Sequence, residues 1–129
     1  MSAPLPELVA HVAGVAEVGD PPVLVASVAE EPDGSGVRLE FQRASVFDDQ
    51  DRRLGMDTYC ICTGEGATHY GGVERMDDDE DGVNIALNPE AASRLHVPDA
   101  FRIRLAVAPE ARAAFLDGLR RVIEGPRVA

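Results

Sequence analysis

Apolar and polar positions alternate along most of the chain at the period of a β-strand, and the period of a helix dominates only at the end. Leu8 to Val18 is a small, valine-rich stretch closed by Pro21 and Pro22, and it predicts a strand. Val23 to Ala29 is a continuous apolar run, which predicts a strand buried on both faces. Glu31 to Gly36 predicts a hairpin turn. Val37 to Arg43 then alternates strictly, with Val37, Leu39 and Phe41 on a dry face and Arg38, Glu40 and Gln42 on a wet one. Residues 44–56 form a long polar connection. Asp57 to Thr63 and Ala67 to Glu74 predict a second hairpin, turned by Gly64-Glu65-Gly66. The pair Gly71-Gly72 inside its return strand predicts a bulge or a close backbone approach.

Met76 to Gly82 predicts an acidic turn, and Val83 to Leu87 and Phe101 to Leu105 predict two more strands. Asn88 as N-cap and Pro89 at the first position open a short helix near 89–95. Pro109 opens the one long helix, near 109–123. Phe115, Leu116, Leu119, Val122 and Ile123 fall on one stripe of it, and Gly125-Pro126 ends it. Short strands in hairpins, with helices late, predict an α+β fold of mainly antiparallel sheet and not an alternating parallel one.

The length, 129 residues, suits a single domain, 1–129, with residues 1–7 as a loose N-terminal arm. No apolar run approaches the ~18 residues that span a bilayer. No basic, apolar leader is visible at the N-terminus, so the expected location is the cytoplasm.

Charge narrows the function further. Twenty-three acids against twelve bases give −11, and every base is arginine. Residues 1–100 carry twenty acids and six arginines (net −14), whereas 101–129 carry three acids and six arginines (net +3). Such acidity opposes binding to nucleic acid and to anionic membranes, and favours encounter with a basic protein.

Candidate chemistry is sparse. Asp77, Asp78, Asp79, Glu80, Asp81 and Gly82 match the opening of a calcium loop, but Asn88 stands where its closing glutamate belongs. Cys60 and Cys62 share a face of one strand, with His69 across the hairpin as a third ligand or a base. Zinc wants a fourth ligand, and a Cys–His nucleophile wants an oxyanion donor; neither is visible. The plainer expectation is two small apolar side chains, unbridged because i, i+2 Cα atoms stand roughly 6.6 Å apart. No metal, cofactor or catalytic site is therefore expected.

Three stretches together resemble immunity protein family 10 of bacterial polymorphic toxin systems. They are Asp33-Gly34-Ser35-Gly36 leading into Leu39-Glu40-Phe41-Gln42-Arg43, Asp57-Thr58-Tyr59-Cys60, and Thr68-His69-Tyr70-Gly71-Gly72-Val73. The resemblance covers about residues 8–106. It implies a small, mostly β, non-enzymatic inhibitor of a cognate toxin encoded beside it. With the charge, it points to a basic toxin, such as a nuclease. The candidate partner-binding residues are then Asp48, Asp49 and Asp51 in the long connection, and Asp77, Asp78, Asp79, Glu80 and Asp81 at the hairpin tip. Arg43, Tyr59 and Tyr70 are candidate anchors. The alternatives are a small enzyme or metal protein using Cys60, Cys62 and His69, or an acidic protein-binding module with no toxin.

Overall fold

A computed structural model describes residues 5–33 and 35–125. Among these described residues nine strands form two sheets. β1 (Glu7–Ala10), β9 (Ala100–Leu105), β8 (Gly82–Leu87) and β7 (Val73–Asp78) lie in that order in a four-stranded sheet. β2 (Val12–Val18), β3 (Val23–Ala29), β4 (Arg38–Ala44), β5 (Cys60–Thr63) and β6 (Thr68–Tyr70) lie in chain order in a five-stranded antiparallel sheet. The described residues also form three helices: α1 (Asp49–Arg53), α2 (Pro89–Leu95) and α3 (Pro109–Glu124). The α+β, mainly antiparallel expectation holds, with one exception: β1 pairs with β9 in parallel.

The single strand expected over 8–18 is two. The chain leaves one sheet after Ala10 and enters the other at Val12. The His11 N–H donates to the Ala29 carbonyl, and the Ala106 N–H donates to the Ala10 carbonyl. Sequence alternation cannot reveal this break, because alanine and valine continue through it. Glu7, expected in a loose arm, already pairs with Arg102. Residues 1–4 of that arm, Gly34 of the first hairpin turn and Pro126 of the helix stop lie outside the described residues.

The second switch between sheets falls at Gly71 and Gly72, where a bulge or close approach was expected. Gly72 has φ +105°, and a Cβ there would stand 2.5 Å from Ala91 Cβ. Only glycine suits both demands. The expected return strand 67–74 is accordingly divided between β6 and β7. β7 also extends to Asp78, so the acidic turn expected from Met76 is shorter, with Asp79 closing on Gly82.

Both sheets and the two longer helices bury one apolar cluster. Phe41, Ile61, Ile85, Ile103, Phe115, Leu119 and Val122 are at its centre. α3 turns the expected stripe inward: Phe115, Leu119 and Val122 are buried, and Leu116 and Ile123 pack at the margin. Gly118 lets α3 sit directly on Val15 of β2, since a Cβ there would overlap the valine. α2 begins as expected, with Asn88 Oδ1 accepting from the Ala91 N–H at 2.8 Å and Pro89 in the first turn.

β3 departs from its expected burial on both faces. Ala26 and Val28 face the core, while Val23, Val25 and Ser27 are only half-buried on the opposite face. α2 and α3 pack on the inner face, and α1 only borders the outer face near Cys60 and Tyr70, so the β2–β3–β4 part of the outer face lies open.

Candidate functional site

The cysteine–histidine group weighed as an alternative is not assembled. Cys60 and Cys62 point to the outer face with their sulfurs 4.0 Å apart, and both are free thiols. Across the hairpin, Cys60 pairs with Tyr70, Cys62 with Thr68, and Ile61 with His69. Register therefore turns His69 to the inner face with Ile61, where its Nδ1 lies 3.1 Å from the Gly71 carbonyl. A one-residue offset separates the imidazole from the thiols. Burial, then the neighbouring Cys62 and Glu40, push the Cys60 thiol up to about 12, opposite to what an activated nucleophile needs.

The anchor candidates divide. Tyr59 is only 7% exposed. Its hydroxyl accepts from the Val73 N–H at 2.9 Å, and its carbonyl accepts from the Gly71 N–H at 2.9 Å. Burial pushes its phenol up. The ring is committed to the core and to the sheet switch, so it is not on offer to a partner. Arg43 is also engaged within the chain. Its Nε donates to the Val122 carbonyl at 2.6 Å and its Nη2 to the Ile123 carbonyl at 3.3 Å, with Cζ 5.9 Å from the Tyr59 ring centre. It places a cation at the C-terminal end of α3, where the helix dipole favours one. Tyr70 is different: 36% exposed, it stands on the open face beside the two thiols.

The two acidic clusters also differ. In the connection after β4, Asp48 caps α1 by accepting from the Asp51 N–H, and Asp51 accepts from the Asp48 N–H. This capping box explains a five-residue helix where an extended connection was expected. Asp49 pairs with Arg52 in the same turn. The cluster borders the open face, where Asp51, Phe47 and Met56 line a small cavity with Cys60 and Tyr70.

At the β7–β8 tip the carboxylates turn toward separate arginines. Asp77 pairs with Arg75, Asp78 with Arg120, and Asp79 with Arg102. They diverge, so the calcium-loop spacing does not gather them. Asp79 also accepts from the Asp81 and Gly82 N–H groups. The Arg102 guanidinium, then the turn's N–H groups, bring its carboxyl down to about 2. Glu7 and Asn84 complete the ring around Arg102.

A lowered carboxyl stabilises the fold only while ionised. Its contribution is complete above the ordinary carboxylate range, near pH 4, and is lost as pH falls through about 2. NMR titration of the Asp79 carboxyl should therefore show a midpoint near 2, returning to the ordinary range in Arg102→Gln. An ordinary midpoint in the unchanged chain would mean that the pair does not persist in solution.

One residue passed over in the sequence stands out. Glu40 read as a solvated position, yet it is half-buried at the middle of the open face. Its carboxylate accepts from Gln42 Nε2 at 2.8 Å, and among the described residues it has no arginine within ion-pair distance. The apolar run of β3 was the available signal. A strand apolar on both sides, in a sheet covered on one side, leaves an apolar face exposed.

No helix among the described residues is long and apolar enough to cross a membrane. Neither a curated protein nor a solved structure matches the chain. The family described as Immunity protein 10 matches residues 9–113, from within β1 into the N-terminal part of α3. That span holds both sheets and both switches between them, so the chain belongs to the Immunity protein 10 family.

Proposed function

We infer that this protein is the non-enzymatic inhibitor of a cognate bacterial toxin in a polymorphic toxin system. It neutralises that toxin by binding it, and the toxin is basic, with a nuclease the class that best suits an acidic inhibitor. Family membership over residues 9–113 carries the reading. The charge supports it: a nuclease must be cationic where it holds phosphates, and this chain brings a net charge of −11. The separation of His69 from Cys60 and Cys62 leaves the enzyme or metal alternative without an assembled site.

The test is co-expression with the toxin domain encoded beside this chain's gene. An inhibitor protects cells only when it is present in at least equal molar amount to the toxin, whereas an enzyme protects at a small fraction of it. Absence of protection, or protection at sub-stoichiometric amounts, overturns the reading.

The acidic clusters act chiefly on the encounter. Asp79 is tied into its turn, so the informative substitutions are Asp77→Asn, Glu80→Gln and Asp81→Asn together. They should slow association with the toxin domain several-fold at low salt and little near 1 M, where screening shortens the electrostatic range to about 3 Å. Equal rates at low salt would show that these carboxylates only solvate the tip.

A further inference from the structure

The two sheets present unlike outer faces. On the four-stranded sheet Arg102 is held by Asp79, Glu7 and Asn84, and Arg75 by Asp77. That is an ordinary water-facing surface. On the five-stranded sheet the outer face carries Val18, Val23, Val25 and Ala44, and Val18 is 57% exposed. The small side chains of Gly14, Ala16 and Ser27 hollow it into a trough of about 560 Å³, with Glu40 in its wall. An apolar face of this kind on a folded chain marks a binding surface.

We propose that the cognate toxin docks on this open face, setting a lysine or arginine against Glu40 and apolar side chains against the valine trough. The proposal rests on the inhibitor reading above and names its contact surface. Charge complementarity selects the occupant. Glu40 is a half-buried carboxylate with no arginine within ion-pair distance among the described residues, so a cationic partner improves its surroundings on binding. Asp51, held by its capping box with Asp48, lies at the rim by Tyr70 and extends the negative field. A second copy of this chain is a poor occupant. Two chains of charge −11 placed face to face would press one uncompensated Glu40 toward another.

The experiment measures binding of the neighbour-encoded toxin domain, its own active site inactivated, to four forms of the full chain. They are the unchanged protein, Val25→Arg, Glu40→Gln, and Arg104→Gln, whose exposed side chain lies on the four-stranded sheet. Urea unfolding first establishes that each is folded. The unchanged protein and Arg104→Gln should bind alike. Glu40→Gln should bind at least about tenfold more weakly, the effect of removing one member of a buried charge pair, and Val25→Arg about a hundredfold or more. Full affinity in either face variant overturns the docking surface and leaves the inhibitor reading standing. Failure of the unchanged protein both to bind and to protect cells overturns both. Sedimentation of the chain alone should show a monomer; a dimer dispersed by Val25→Arg assigns the face to self-association and overturns the proposal.

Discussion

Phe115→Ala should lower the free energy of unfolding by ~3–5 kcal/mol, the largest loss expected from any single truncation in α3. The ring is fully buried where α3 meets both sheets, in a cluster with Phe41, Ile85 and Ile103. Removing it deletes the transfer energy of the ring and leaves a cavity that the surrounding strands are too constrained to fill. Domains of this kind are stable by roughly 5–15 kcal/mol, so the change takes a large share of the total. Leu116→Ala, one position away at the margin of the cluster, is the control and should cost about 1 kcal/mol. Urea unfolding of the three proteins decides it. A single shared transition is expected, since one core serves both sheets. Equal costs at Phe115 and Leu116 would mean that the helix does not seat on the sheets as described.

The α3 stripe was legible because its apolar residues repeat at a period that no strand shares. The hairpins β3–β4 and β5–β6 were legible because glycine-bearing turns separate paired strand-forming runs. The β1-to-β2 break was not, because it depends on which sheet each half joins, a long-range choice that leaves local alternation intact. The parallel pairing of β1 with β9 is the same kind of fact, joining residues about a hundred positions apart.

Several residues that carried the family resemblance build the framework. Tyr59 holds Gly71 and Val73 through its carbonyl and hydroxyl, His69 contacts Gly71, and Arg43 receives the end of α3. The family match ends at residue 113, yet Arg43 within it is shaped to hold a helix that lies mostly beyond it. The acidic positions proved harder to read. Carboxylates are so numerous that sequence could not separate Asp79, which organises a turn, from Glu40, which has no cationic partner among the described residues. That distinction is made by register and by which arginine lies within reach.

Gly72→Ala should cost about 2–6 kcal/mol, the sum of two contributions. The first is backbone strain. At φ +105° an L-residue sits outside its ordinary range, and such conformations cost ~1–3 kcal/mol. The second is overlap: the new Cβ would stand 2.5 Å from Ala91 Cβ, and overpacking in a constrained site costs a further ~1–3 kcal/mol. Ala91 cannot easily give way. It is fully buried in the first turn of α2, and Asn88 beside it is held by its N–H to the Gly72 carbonyl at 2.9 Å. Gly71→Ala isolates the first contribution, because Gly71 also has positive φ, at +71°, but a Cβ there meets only Thr58 Cγ2 at 3.9 Å. It should cost about 1–2 kcal/mol. Gly72→Ala should therefore unfold at a clearly lower urea concentration than Gly71→Ala, with the slope of the transition unchanged. Equal midpoints for the two would show that α2 yields to the new methyl group, and that the close approach of helix to sheet switch is not what fixes glycine at position 72.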